Sequence, residues 1–410
     1  MATGKLGEMR LICGLLMPCG PVDSTTARAR SLTVSWLRWG YFGAVIEADR
    51  IDVILRRAAE SGQDYCLIQS AGHIIGEQSS IYGGRSRSFF EALADWTARN
   101  EFTALGSGGR CFLVNLKRPW QHGHATVDFP GELAGFFIDL GPDLTRQPDF
   151  LQRLAWLSEQ GARGVFVLNF ESYRDIEVPP TSFHGPVSVL YSVGAGLKPN
   201  RILQTHGFDA RTRVVYFDYS TQALEFRRLL RAEWDGRRYP DFLRSVFQKM
   251  PAPGTHYFLW PGANPDNLDW VEMDRLWATE VARWGGQDQI AAHWSRYREL
   301  DHEFLLCNIL TGHDELLEHI GDQRGSVIWW SNAFCTIFSA CHYTLEEKQE
   351  LYESWIRKLA SKAPGILLYG SDHSNSPVNC LGAAEYWKSY QEAGGDSLGE
   401  RRLYRHAMRF

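Results

Sequence analysis

No run in this chain of 410 residues is long and apolar enough to span a bilayer, and no C-x-x-C pair occurs. Those two absences remove integral-membrane and zinc-ribbon readings. The eight cysteines, at 13, 19, 66, 111, 307, 335, 341 and 380, are scattered, several inside apolar runs. Reduced, buried thiols are the expectation. An excess of one charge is also missing, since 43 Lys and Arg stand against 48 Asp and Glu for a net charge of −5. Such a balance gives no broad attraction for nucleic acid or an anionic membrane. The densest basic group, Arg227, Arg228, Arg231, Arg237 and Arg238, reads as a solvated helix face. A G-x-S-x-G nucleophile elbow is absent, and Lys198 lacks the spacing and the Ser/Thr of a Walker loop. Serine-hydrolase and phosphate-driven readings therefore fall away. Leu11–Pro18 is apolar but short and reads as a first core strand rather than a signal segment, so a soluble cytoplasmic protein is expected.

What is present is an alternation of short apolar runs with amphipathic segments, the pattern of an α/β protein. The length exceeds one ordinary core and predicts two domains. Prolines and glycines interrupt the pattern around Val178–Pro186, which sets the expected domains at 1–179 and 180–410.

In the second half, Pro186–Gly196 reads as a strand entering a glycine turn, and Arg213–Asp218 as a second strand ended by an acid. Glycines at 194 and 196 permit a sharp turn and let a ligand lie against the backbone, because no Cβ blocks its approach. A carboxylate about twenty residues on is where nucleotide-binding α/β domains accept hydrogen bonds from a ribose. The third glycine of a dinucleotide fingerprint is replaced by Pro199. A nucleoside without phosphates fits better, and Pro199 suits the first turn of a helix. Glu303–Asn308, Ser326–Asn332 and Gly365–Asp372 are further buried-strand runs. Asp314–Ile320 reads as helix, as does Thr344–Lys362, with Thr344 as N-cap and Glu347 at capping-box spacing.

Ser192-Val-Gly-Ala-Gly196 followed by Val215-Tyr-Phe-Asp218 resembles the first two strands of a class I S-adenosylmethionine-dependent methyltransferase. The resemblance implies a Rossmann-like parallel sheet with helices on both faces and S-adenosylmethionine as cofactor. By motif position, Gly194 and Gly196 would lie under the amino-acid part of the cofactor and Asp218 would hold its ribose. Ser192, Asn308 and Ser331 complete the implied cofactor set. The family's third strand follows its second closely, whereas here an aromatic-rich insertion of about 235–300 intervenes. Its tryptophans either cap a pocket or fill core. At the carboxyl ends of the strands, Asn332, His342 and Asp372 are the candidates for acceptor chemistry, with His342 as general base and Asn332 orienting the acceptor. Asn332 also suits a turn cap, and the Asp372-His373 loop suits bonding to itself.

The first half reads as a smaller α/β domain: helix from Ile46 to Glu60, strands at Asp64–His73, Cys111–Leu116 and Gly164–Asn169, and helix at Asp149–Gln160. It weakly resembles the nucleotide-sugar-binding part of a glycosyltransferase, with Gln69-Ser-Ala-Gly72 where that family carries the metal-binding Asp-x-Asp. His122 and His124 could share one face of an extended segment as metal ligands, or be polar surface. His73 is either pocket-lining or a loop histidine. The favoured reading is methyl transfer to a small molecule, a saccharide or specialised metabolite, with no nucleic-acid or membrane partner and with homo-oligomerisation open. The rivals are a non-catalytic recognition or assembly protein and a nucleotide-sugar transferase centred on the first half.

Overall fold

A computed structural model of the chain describes residues 11–16, 24–40, 45–70, 73–75, 89–107, 111–120, 126–134, 137–139, 159, 162–168, 173, 176, 183, 185–250, 270–321, 324–336, 339, 342–374 and 376–395. Both halves are α/β. The first sheet runs β2 (Val45–Ala48), β1 (Leu11–Leu16), β3 (Tyr65–Ser70), β6 (Cys111–Asn115), β5 (Ala104–Ser107), β7 (Val127–Asp128). It is mixed: β1 pairs parallel with β2 and β3, while β6 is antiparallel to β3 and β5. The three residues between β5 and β6 are too few for a crossover, so that pair can only be antiparallel. Among the described residues no helix is long and apolar enough to cross a membrane.

Helix α1 (Ser24–Gly40) precedes β2, α2 (Ile51–Glu60) follows it, α3 (Phe89–Arg99) precedes β5, and α4 (Gly131–Ala134) follows β7. The expected helix at Ile46 therefore begins later, because Val45–Ala48 is a strand that pairs with β1. Ile51, Ile54 and Ala58 of α2 are buried against Cys66, Ile68, Phe112 and Val114. That face is the i, i+3, i+7 stripe of an amphipathic helix. A two-stranded sheet pairs β4 (His73–Ile75) with β8 (Phe137–Asp139). His122, His124 and nearly all of Asp149–Gln160 lie outside the described residues.

The second sheet holds β9 (Val189–Val193), β10 (Arg213–Asp218), β11 (Asp301–Leu306), β12 (Val327–Trp329), β13 (Leu367–Ser371) and β14 (Pro377–Gly382). Their order across the sheet is β11-β10-β9-β12-β13-β14. The first five are mutually parallel and β14 is antiparallel to β13. The sheet is thus mixed rather than purely parallel, since the short connection after β13 forces a hairpin. Buried on both faces, β9 reads as a continuous apolar run, as parallel strands do.

Helices α5 (Lys198–His206) and α6 (Thr221–Glu233) link the first strands of this sheet. Among the described residues, α6 is followed before β11 by α7 (Tyr239–Lys249), α8 (Trp270–Arg283) and α9 (Gln287–Tyr297). Trp234, Trp277, Trp284 and Trp294 are buried there, and the rings of Trp234 and Trp294 pack 4.6 Å apart. For these four the rings fill core; Trp260 and Pro251, Pro253, Pro261 and Pro265 lie outside the described residues. Val165, Val167, Leu168, Tyr173 and Ile176 join this same core. Val165–Leu168 is not the expected strand, and the Tyr239 hydroxyl donates to the Val167 carbonyl at 2.6 Å.

Helix α10 (His313–His319) precedes β12, and α11 (Leu345–Lys362) bears the expected capping box. Thr344 Oγ1 accepts from the Glu347 N–H at 3.3 Å, and Glu347 Oε2 accepts from the Thr344 N–H at 2.8 Å. Tyr352, Trp355, Ile356 and Leu359 turn inward, while Leu345 and Leu351 are only partly buried. The chain continues through β13 and β14 into α12 (Ala383–Glu392). Helix α1 docks on the start of α11: Arg28 Nη1 donates to Glu347 Oε1 at 2.7 Å, Arg28 Nη2 to the His342 carbonyl at 2.6 Å, and the Leu345 N–H to Ser35 Oγ at 2.6 Å. Cys13, Cys66, Cys111, Cys307 and Cys335 are buried free thiols, and burial pushes Cys66 up to about 12.

Thr344→Ala removes the acceptor for one helix-end N–H and is expected to cost about 1 kcal/mol, with Thr344→Ser restoring most of it. The unfolding midpoint in urea checks this, and an unchanged midpoint in the alanine variant would show that the cap carries no weight.

Candidate ligand cleft at the switch point of the second sheet

From β9 the chain passes to β10 on one side, and β12 lies on the other. Loops leaving the carboxyl ends of such strands diverge and open a crevice, the place where open parallel sheets hold ligands. β9 ends at Val193 and enters the turn Gly194–Gly196, after which α5 begins with Pro199 in its first turn, as the sequence predicts. β10 ends at Asp218, and Ser220 caps α6 by accepting from the Ala223 N–H at 3.1 Å.

These two strand tips meet at one carboxylate. Asp218 Oδ2 accepts from the Gly194 N–H at 3.1 Å, and Oδ1 accepts from the Ser220 N–H at 2.9 Å. A Cβ on residue 194 would stand 3.1 Å from Asp218 Oδ2 and 3.3 Å from the Ala223 Cβ, so only glycine lets the acid and α6 approach this closely. Gly196 is left-handed at φ 47°, its N–H donates to the Phe166 carbonyl at 2.9 Å, and its own carbonyl accepts from Arg227. Burial pushes the Asp218 carboxyl up to about 6, against the opposing pull of the Ser220 and Gly194 N–H groups and the Arg227 charge.

Beside this junction lies a cleft of about 180 Å³. Asp218 and Tyr219 form its acidic and aromatic end, and Val193, Ile309, Leu310 and Ala333 an apolar wall. Thr336, Ser339, His342 and Tyr343 face it from the segment before α11. No lysine or arginine lines it among the described residues. Nor do those residues include a cluster of three or more His, Cys, Asp or Glu fit to hold a metal ion.

Of the residues singled out from sequence, Asp218, Asn308 and His342 come together on the cleft, with Gly194 bonded to its acid. The Asn308 side chain accepts from the Leu310 N–H at 3.0 Å, a turn that presents Ile309 and Leu310. Gly196 sits behind, both backbone polar groups already satisfied by protein. Ser192 is fully buried within β9, donating to the Val193 carbonyl at 2.9 Å, and does not line the cleft. Ser331, at φ 56°, and Asn332 precede a 3₁₀ turn, Ala333–Cys335, of which Ala333 alone reaches the cleft. Asp372 is wholly buried and accepts from the N–H groups of Ser374 and Ser376, both at 2.8 Å, so its loop is bonded to itself. His73 opens β4. Arg227 departs from the expected solvated face: it is 2% exposed, whereas Arg228, Arg237 and Arg238 are in solvent. Tyr219, Thr336, Ser339 and Tyr343 were not singled out; only Tyr219, adjacent to the acid, had a signal in the sequence.

Comparison with protein-family models, with curated proteins and with solved structures gives no match.

The Asp218 shift carries a pH signature. Its carboxyl titrates near 6 in the folded chain against 3.8 ordinarily, so between those values the native state holds a proton that the unfolded chain has released. Stability from this group therefore falls as pH rises through that window. Asp218→Asn is expected to remove this component, read as a flatter dependence of the unfolding midpoint on pH from about 4 to about 6. An unaltered slope would mean that the carboxyl is not raised.

Proposed function

We propose that the cleft binds S-adenosylmethionine and that the chain transfers its methyl group to a small-molecule acceptor. Numbered by appearance in the second half, the strands run 3-2-1-4-5 and then an antiparallel sixth, which suits a Rossmann-like arrangement. Right-handed crossovers moving outward in opposite directions from β9 put the connecting helices on both faces.

The observation that carries the reading is the Asp218 carboxylate bonded to the Gly194 N–H beside an open cleft. It argues against a diphosphate on two counts. The loop N–H groups of Gly194 and Gly196 are already given to protein acceptors, and a phosphate would meet a carboxylate with no lysine or arginine lining the cleft to offset it. A ribose fits instead, because a carboxylate offers about four acceptor positions and the backbone takes two. The negative charge and the ring of Tyr219 also suit a sulfonium cation.

Methyl transfer needs the acceptor aligned behind the methyl carbon and water kept out, and positioning supplies most of such an effect. As the carbon–sulfur bond breaks, its electron pair stays on sulfur, giving S-adenosylhomocysteine. A hydroxyl or amine acceptor must also lose a proton, and His342, on the wall away from β10, is the base for it. With Asp218 holding the ribose and His342 in the same cleft, cofactor and acceptor share one space. Among the described residues no tryptophan of the insertion lines the cleft.

S-adenosylhomocysteine is expected to bind the full chain in a calorimeter, and Asp218→Ala to weaken it at least about tenfold, since hydrogen bonds to a charged group contribute about 1.5–3 kcal/mol. Binding of a uridine or guanosine diphosphate sugar with a divalent metal, and not of S-adenosylhomocysteine, would sink the reading. With a hydroxyl acceptor, His342→Ala is expected to lower turnover by about 10²- to 10⁴-fold while leaving S-adenosylhomocysteine affinity nearly unchanged.

A further inference from the structure

Arg227 is the side chain that the reading above leaves unexplained. It is 2% exposed, its Nη2 donates to the Gly196 carbonyl, and its Nε and Nη1 have no hydrogen-bond partner among the described residues. Its guanidinium lies 4.9 Å from the centre of the Tyr216 ring. A buried charge is costly unless a counter-charge compensates it, so its retention calls for a partner. Around it Tyr216 and Tyr297 bond one another through their hydroxyls, and burial holds the hydroxyls of Tyr239 and Tyr297 in the neutral form and lowers His302 to about 4. None of these supplies a negative charge at neutral pH. Among the described residues Asp218 is the carboxylate bonded to the same turn: it takes the Gly194 N–H while Arg227 takes the Gly196 carbonyl.

The helix explains the placement. On α6, Ala223 touches the space at Gly194, and Arg227 one turn later reaches the Gly196 carbonyl. Residues four apart share a helix face, so one face of α6 supports both glycines, and its N-cap region bonds Asp218. Acid and guanidinium thus approach the glycine turn from α6 and from the tip of β10.

We propose that Arg227 is a positioning residue of this site, fixing the glycine turn through the Gly196 carbonyl and serving as buried counter-charge to the Asp218 carboxylate. Its role rests on the nucleoside reading for its purpose but not for its first measurement. Other groups near Asp218 are Tyr219 and Cys307, both raised by burial, and His342 on the same cleft. Among the lining residues and the groups that shift Asp218, Arg227 is the one arginine or lysine.

Carbon-13 carboxyl titration of the full-length chain with labelled aspartate follows Asp218, whose resonance Asp218→Asn identifies. Arg227→Gln keeps a donor for the Gly196 carbonyl and loses the charge; Arg227→Met loses both. Each is expected to raise the Asp218 midpoint by at least a few tenths of a pH unit, and Arg227→Lys to hold it near that of the unsubstituted chain. S-adenosylhomocysteine affinity at pH 6 should fall in Arg227→Met with the charged fraction of Asp218, about fivefold for a shift of one pH unit, and recover in Arg227→Lys. A titration of Asp218 in folded Arg227→Gln that superimposes on that of the unsubstituted chain overturns the proposal. Should the midpoint move while the unsubstituted chain binds no S-adenosylhomocysteine, Arg227 is the counter-charge and the nucleoside reading alone fails.

Discussion

One carboxylate, Asp218, ties the tips of two parallel strands together. It accepts the N–H of Gly194 from β9 and of Ser220 at the start of α6, so the turn, the strand and the helix converge on two oxygens. The glycine turn cannot relax away without stranding a partly buried acceptor, and α6 cannot shift without losing its contact beneath residue 194. Everything offered by the cleft follows from this constraint. The acid end is fixed, the Gly194 and Gly196 N–H groups are spent, and Ile309 and Leu310 line the same cleft.

Much of this junction was legible in the sequence, because buried parallel strands are written as continuous apolar runs and because a glycine turn after one strand and an acid at the tip of the next mark where neighbouring strands end. Residues within a strand were harder to read. Ser192 precedes the turn in sequence, but its side chain stands perpendicular to a sheet buried on both faces and never reaches beyond the strand tip. Thr336, Ser339 and Tyr343 belong to a segment without periodicity, whose path is set by tertiary packing and leaves no local signature. Strand β2 was missed because its four residues abut an amphipathic helix whose pattern swallowed them.

Arginine 227 illustrates the limit of reading charge from neighbours. In a run of arginines it looked like part of a wet surface, yet adjacent helical residues point about 100° apart, so Arg227 and Arg228 share almost no environment. Only with Ala223 known to face the turn does the four-residue spacing assign Arg227 to the buried side. Burial likewise has to be read indole by indole: the Trp234 and Trp294 N–H groups donate to the Arg237 and Trp234 carbonyls, whereas that of Trp284 donates to the Glu280 carboxylate.

The cleft wall opposite β10 is held from the first half of the chain. Glu347 divides its two oxygens between the Thr344 N–H, which closes the cap of α11, and the Arg28 guanidinium of α1. Arg28 and Glu347 are both more than a third exposed, so their pairing contributes little to stability. Its effect is geometric. The same guanidinium bonds the His342 carbonyl, and Ser35 takes the Leu345 N–H, so helix α1 fixes the backbone on both sides of the cap. His342 and Tyr343 therefore face the cleft from a segment bonded to a helix about three hundred residues earlier, whereas the Asp218 end is bonded within the second half. The second half lines the cleft and supplies its anchored acid, while the first half bonds the backbone next to two of its lining residues, His342 and Tyr343.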